Sequence, residues 1–307
     1  MDLPDVLPLN DFLTRNAIAR NECRRLVSEG HVHRVRHGAY ANSPEGDRLA
    51  RHLQLILGTL PQLTAGAVVS HASAAALHQL PLFDDLLHQV WLTRRDGGHG
   101  RSTRWLRVLH SPIADDEIDT IESIRVTSLA RTALDLARSL PLTRAVAVLD
   151  HALRQGVDRT QLTELLARYP RRPGTLRART AISLADPLSE SVPESESRVV
   201  MIQQGIPAPT LQFEVRHLGV FLGRSDFAWE EQRLLGEFDG RVKYDQLLKP
   251  GQTPADVVLA EKRREQRLRE AQWWVVRWGY DAIVHPEQLA RSIRTGFRNA
   301  AAFAHAA

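Results

Sequence analysis

The segment RSDFAWEEQRLLGEFDG, residues 224–240, narrows the folds open to this chain of 307 residues more than any other. Two short runs flank the polar triplet Glu230-Glu231-Gln232, the pattern of a β-hairpin. With a two-residue loop at Glu230 and Glu231, Asp226 faces Leu235 across the hairpin and Glu237 is its diagonal neighbour. Period-two alternation then collects Asp226, Glu237 and Asp239 on one side, and Phe227, Trp229, Leu234 and Phe238 on the other. Diagonal neighbours lie roughly 7–8 Å apart at Cα, within reach of one bridging cation.

Carboxylates gathered in this way repel unless something neutralises them. A divalent ion does so, and Mg²⁺ (or Mn²⁺) prefers oxygen ligands with positions left for water. Such an ion activates water and stabilises charge on a phosphodiester. Asp226, Glu237 and Asp239 are therefore the expected metal ligands, and a metal-dependent nuclease is the expected chemistry. Glu194 and Glu196 open the next helix upstream, where acids also suit the helix dipole. Lys243 follows Asp239 by four residues and is placed to hold a water or the scissile phosphate. Downstream, AEKRREQRLREAQ puts Lys262, Arg263, Arg264, Arg267 and Arg269 on one helix. These suit sequence-independent phosphate contacts, and equally a solvated face laced by i,i+4 pairs.

The rest of the chain reads as α/β (α+β) in three parts. In residues 1–45, two short helical patterns precede a basic alternating stretch, HVHRVRHGAY. Ala19, Cys23, Leu26 and Val27 share one side of the second helix, and Arg20, Asn21, Arg24 and Arg25 fall largely on the other. Helix, helix and two-stranded wing is the plan of a winged helix-turn-helix, with Arg20, Arg24, Arg34 and Arg36 as its DNA-contacting cations. His31, His33 and His37 lack a cysteine or carboxylate to complete a metal site and suit a phosphate backbone better. Residues 46–186 read as a mixed α/β domain, with a helix from about Asp47 to Leu60 and a second one capped by Ser70. Strands are expected at Val90–Thr93 and Trp105–Leu109, followed by three helical patterns. A turn-rich, polar joint places the boundary near Asp186, and residues 187–307 form the third domain. There a helix at about Pro193–Gln204, strands at 211–216, 220–229 and 233–240, a charged helix over 255–271 and the strand WWVVRW are expected.

Charge is unevenly spread. Residues 1–180 hold 24 Arg and no Lys against 19 acids, and all three lysines, Lys243, Lys249 and Lys262, come later. An Arg-rich front half suits phosphate contacts, although GC-rich coding inflates Arg too. No apolar stretch is long enough to span a bilayer. The first residues lack the basic and apolar regions of a signal peptide, and Cys23 is the lone cysteine, so a reducing cytoplasm is expected.

Two resemblances follow from these residues. SESVPESESR, QQGIPAPTLQFEV, GRSDFAWEEQRLLGEFDGRVKY and EKRREQRLREAQWWVVRW together resemble the PD-(D/E)XK restriction-endonuclease-like superfamily, in the branch related to the very-short-patch repair endonucleases. The resemblance implies Glu194 as the helix acid, and Asp226 and Glu237 as the two catalytic acids. It places Lys243 in the matching G-R-V-K-Y run, and Arg264 and Arg277 at the basic-helix and strand-end positions. The superfamily's lysine, two residues after the second acid, is replaced here by Asp239. Either Asp239 is a third metal ligand or Lys243 substitutes. FLTRNAIARNECRRLVSEGHVHRVRHGAY, VVSHASAAALHQLPL and RVTSLARTALDLAR resemble the AbiEi-type antitoxins of type IV toxin–antitoxin systems, which implies a DNA-binding front part and raises a toxin or defence-system partner. The expected function is a DNA-binding, divalent-metal-dependent endonuclease. The alternative is a non-catalytic transcriptional regulator or antitoxin with an inactive nuclease-like domain.

Overall fold

The computed structural model describes residues 3–42, 46–63, 66–96, 99–240 and 253–306. Its class is α+β, with mixed and antiparallel sheets. The chain divides into two compact units, one of residues 1–139 and 156–178, the other of 140–155 and 179–307.

The first unit opens with β1 (Leu7–Pro8), α1 (Leu9–Asn16), α2 (Arg20–Ser28), β2 (His33–Arg36) and β3 (Ala39–Ala41). The strands order as β1-β3-β2, and Phe12, Cys23 and Val32 form the small core beneath them. Cys23, Leu26 and Val27 thus face inward at helical spacing, as their pattern predicts. There follow α3 (Arg48–Thr59), β4 (Ala67–Val69), α4 (His71–Leu77), β5 (Val90–Arg94), β6 (Arg101–Ser102), β7 (Leu106–His110), β8 (Ile118–Ile121), β9 (Ile124–Thr127) and α5 (Leu129–Ser139). Their strands form a mixed sheet ordered β6-β7-β5-β4-β9-β8. Asp47 caps α3 by accepting the Ala50 N–H at 2.9 Å. Ser70 does not cap α4: its hydroxyl instead receives Thr93 Oγ1 at 2.8 Å, while His71 takes up a left-handed φ of 50°.

The helix α6 (Leu142–Arg154) belongs to the second unit, α7 (Arg159–Arg168) to the first, and the division falls within α8 (Thr175–Leu184). The expected boundaries are corrected accordingly. Residues 1–45 share one unit with most of the middle part, and α6 leaves the middle part altogether. Helix α6 packs on the helix Val192–Gln203, and a buried charge joins the same elements. Asp150 of α6, fully buried, accepts Arg198 Nη2 at 2.7 Å and the Asp186 N–H at 2.6 Å, which ties it across residue 186.

The second unit continues with α9 (Val192–Gln203), β10 (Thr210–His217), β11 (Val220–Trp229), β12 (Leu234–Phe238), α10 (Pro254–Glu270), β13 (Trp274–Trp278), α11 (Tyr280–Val284) and α12 (Pro286–Ala306). The sheet order is β10-β11-β12-β13, antiparallel except for the β12–β13 pair, which α10 joins as a crossover. One sheet face buries Ala228 and Leu235 against Leu268 of α10 and Ala271 just beyond its end. The other buries Phe227, Trp229, Leu234 and Trp278 against α9, α11 and α12. Gly236 is required there, since a Cβ at that position would sit 2.7 Å from the Trp278 ring. Thr253 and Asp256 close a reciprocal capping box at the start of α10.

The hairpin loop is corrected from two residues to four, Glu230–Arg233, with Arg233 left-handed at φ 53°. Trp229 pairs with Leu234, Ala228 with Leu235 and Phe227 with Gly236. In that register Asp226 lies opposite Glu237, not Leu235. The slip is two residues, and an even slip leaves every side chain on its expected face.

Candidate functional site

The register of the second sheet assembles one row. Leu211 pairs with Phe227 and Phe213 with Ser225, which sets Gln212 beside Asp226. Asp226 stands opposite Glu237, and Glu237 pairs with Arg277 on β13. Gln212, Asp226, Glu237 and Arg277 therefore cross all four strands on one line. Gln212 holds a left-handed φ of 50° inside a strand, a conformation that costs energy in a non-glycine residue.

The helix acid reaches this row from one end. Ser191 is the N-cap of α9, and Glu194 follows in the box position, with Ser191 Oγ donating to Glu194 Oε1 at 2.6 Å. Glu194 Oε2 accepts the Glu190 N–H and Gln212 Nε2, each at 2.8 Å. At the other end, Glu237 is held by two guanidinium groups. Arg264 Nη2 donates to Oε1, and Arg277 Nε donates to Oε2 at 2.9 Å. Arg277 also donates to Glu261. Gly223 makes room for this arrangement, since a Cβ there would lie 2.8 Å from Arg264 Nε.

Asp226 sits half-buried between these two ends, and Phe238 N–H donates to its Oδ2 at 2.8 Å. Its carboxyl is pushed up to about 6, first by burial and then by the negative charges of Glu194 and Glu237. The Phe238 N–H and Arg224 pull the other way. For Arg264, burial opposes the charge, but the carboxylates of Glu237 and Glu261 more than offset it and raise its pKa.

Asp226 and Glu237 are thus brought together, with Glu194 close enough to raise the Asp226 carboxyl. Asp239 lies one residue beyond β12, exposed, with its N–H donated to Trp278 O. Lys243 lies outside the described residues. Among the described residues, no group of three or more His, Cys, Asp and Glu is arranged around a metal position. The expected triple set with Asp239 is thereby corrected to a facing pair. Arg264 and Arg277, expected on DNA phosphates, are ion-paired with Glu237, and Lys262 is exposed. Glu196 is buried in α9 with Oε2 unpartnered, and burial raises its pKa against the pull of Arg144. Gln212 gave no sign in the sequence, because nothing marks a lone Gln as the link between a helix acid and a strand acid.

The Asp226 shift fixes a pH dependence. Its folded pKa lies above the ordinary value of 3.8, so the ionised carboxylate penalises folding. That penalty is fully present above about pH 6 and vanishes as pH falls below about 4. Asp226→Asn should therefore stabilise the metal-free protein by ~1–2 kcal/mol at pH 8, after allowance for partial exposure, and by almost nothing at pH 4. Denaturant melts at the two pH values check this, and an equal effect at both would contradict it.

In the first unit, Arg20, Arg24 and Arg34 line one depression of about 290 Å³ together with Tyr40. Arg36 is the correction to the expected basic face. It donates to Thr59 Oγ1 at 2.5 Å, its Nε is buried without a partner, and burial lowers its pKa. Removing Arg20 and Arg24 together should weaken duplex binding and flatten its log–log salt slope by about two units. A slope unchanged in a salt titration would place the duplex elsewhere.

No family model matches the chain. It is 33% identical over 253 residues to the uncharacterized protein Rv2248 of Mycobacterium tuberculosis strain H37Rv, spanning 81% of this chain and 86% of that protein. The uncharacterized protein MT2308 of strain CDC 1551 matches to the same extent. The chain belongs to the family of these mycobacterial proteins. A crystal structure of the RV2827C protein from the same species overlaps with a TM-score of 0.39 at 18% identity, covering 59% of this chain and 72% of that one. Among the described residues, no helix is long and apolar enough to cross a membrane.

Proposed function

We propose that the second unit is a divalent-metal-dependent nuclease core acting on DNA phosphodiesters, and that Asp226 and Glu237 are its metal-holding acids. The observation that carries this is the pairing of Asp226 with Glu237 across the sheet, with Glu194 close enough to raise the Asp226 carboxyl. The fit to a cation rests on the donor set. Two oxygen donors face each other, and Asp226 Oδ1 has no protein partner among the described residues. The elevated proton affinity of Asp226 is what a nearby cation would relieve. Mg²⁺ commonly binds through one or two carboxylates and keeps several waters, so a pair of acids is sufficient.

When bound, such an ion supplies an activated water and charge stabilisation at phosphorus. The chain's own groups do the rest. Glu194, fixed by its cap and by Gln212, keeps the Asp226 end of the row negative. Arg264 and Arg277 hold Glu237 in place and lend positive charge beside the phosphate path. The motif resemblance to the PD-(D/E)XK superfamily supports the same reading. Arginines of the first unit supply duplex affinity without chemistry.

The test is cleavage of single-stranded, double-stranded and mismatched DNA with Mg²⁺ or Mn²⁺, and with EDTA as control. Cleavage that needs the ion is expected. A second reading, a DNA-binding regulator or antitoxin with an inactive core, draws on one observation: both oxygens of Glu237 already receive guanidinium donors. DNA binding without cleavage under every ion condition would establish that reading instead.

A further inference from the structure

A cleft of about 430 Å³ in the first unit is used by nothing described so far. Its walls come from β2 of the wing, from α3, and from the segments before β5 and β7. The residues lining it include the guanidinium groups of Arg34, Arg48 and Arg51 and the carboxylate of Asp84; Arg48 engages Asp84, and Arg51 Nε donates to Gly46 O at 3.1 Å. Trp105 forms a further wall. It is the most exposed tryptophan of the chain at 41%, and Arg104 lies 4.6 Å from its ring centroid. Its main chain is held to the sheet, since Trp105 O accepts the Val90 N–H at 2.9 Å.

The floor is polar and uncharged. His52 is buried, with Nδ1 2.8 Å from Leu87 O and Nε2 3.0 Å from Ser73 Oγ. Only the tautomer with the proton on Nδ1 serves the carbonyl, and Ser73 Oγ then donates to Nε2 while accepting the Trp91 N–H. Burial holds the His52 pKa down to about 4, so the ring stays neutral near pH 7. Arg34 also borders the depression that holds Arg20 and Arg24, so the two cationic surfaces meet at that residue.

Guanidinium groups beside an exposed indole suit a phosphate joined to a flat ring. A base stacked within a duplex cannot present its face to Trp105. We propose that this cleft takes an unstacked nucleotide of a DNA strand, with its base against Trp105 and its phosphates on Arg34, Arg48 and Arg51. The inference concerns binding by the first unit and does not depend on the catalytic reading of the second.

The experiment uses the whole chain of 307 residues in EDTA. Anisotropy is measured with a labelled thymidine oligomer of about twelve nucleotides, a blunt duplex of that length, and the duplex with a single-stranded overhang. The oligomer and the overhang duplex should bind more tightly than the blunt duplex. Trp105→Ala should weaken both by roughly ten- to a hundredfold and leave the blunt duplex unchanged, while Trp105→Phe retains most of the affinity. Thymidine monophosphate should not displace the oligomer at equal concentration; displacement would overturn the strand assignment in favour of a free nucleotide. Oligomer binding unaffected by Trp105→Ala would overturn the proposal. If that variant does not fold, iodide quenching of the wild-type protein decides: the oligomer should shield the exposed indole, and unchanged quenching overturns the proposal. Binding of this kind without any cleavage refutes the nuclease reading alone, and cleavage without it refutes this inference alone.

Discussion

Asp226→Asn is expected to abolish divalent-ion-dependent cleavage, by on the order of 10²–10³ or more, while fold and DNA affinity persist. The residue is positioned by β11, receives the Phe238 N–H and lies opposite Glu237. Asn keeps its size and its ability to accept that hydrogen bond, so the sheet has no reason to change. What it removes is the negative charge that would hold the ion. Glu237→Gln should fail in the same way but with one added consequence. It deprives Arg264 and Arg277 of their shared carboxylate. DNA affinity of that variant should therefore stay level or rise even as cleavage is lost. Equal cleavage by wild type and Asp226→Asn would place the chemistry at another set of residues.

The largest stability effect is expected in the first unit. Arg131 is 1% exposed, and its Nε donates to Asp135 at 2.8 Å while Nη1 donates to Glu117. Ser111 Oγ and Pro112 O accept two more of its N–H groups, and Tyr169 OH donates to Glu117 at 2.9 Å. Arg131→Met fills similar volume but takes the shortest ion-pair partner from two buried carboxylates, leaving Glu117 with Tyr169 and Arg168 and Asp135 with Arg138 at 3.5 Å. The expected cost is about 3–5 kcal/mol, on the order of 10 °C in the melting of this unit. Replacing Arg131 by Met and Glu117 by Gln together, with Asp135 kept as the partner of Arg138, should cost less than Arg131→Met alone, because Glu117 is then not left as a buried charge without its guanidinium. A melting loss of only a degree or two from Arg131→Met would mean that water reaches Glu117 and Asp135.

Much of this site was legible because β-strands alternate. Asp226 and Glu237 fell on one face under the wrong register, since the slip from a two-residue to a four-residue loop is even. Loop length was not legible, because Glu230-Glu231-Gln232-Arg233 contains no glycine or asparagine to announce the left-handed residue, and Arg233 takes that role. Side-chain destinations were the weakest part. Arg264 and Arg277 looked like phosphate contacts, but a helix position does not reveal that a carboxylate from a neighbouring strand stands in reach. Arg36 follows Arg34 by two in the sequence, yet the register of β2 on β3 shifts between them, from Arg34 opposite Tyr40 to Arg36 opposite Ala39, and Arg36 turns to Thr59 of α3. The helix α6 carried no sequence mark of its unit, because its allegiance rests on packing against α9 and on the buried pair of Asp150 with Arg198, 48 residues apart. Ser70 preceded a helix and read as a cap, but its hydroxyl had a buried partner in Thr93.

The central claim, that Asp226 and Glu237 hold a divalent ion, is tested most directly by thermal melting with increasing Mg²⁺ or Mn²⁺, wild type against Asp226→Asn at pH 7.5. An ion that binds only the folded site adds RT ln(1 + [ion]/Kd), about 2.7 kcal/mol at a hundredfold excess over Kd. Wild type should climb with ion concentration, and Asp226→Asn should start higher and stay nearly flat. Parallel curves for the two proteins, or no climb in either, would contradict the account.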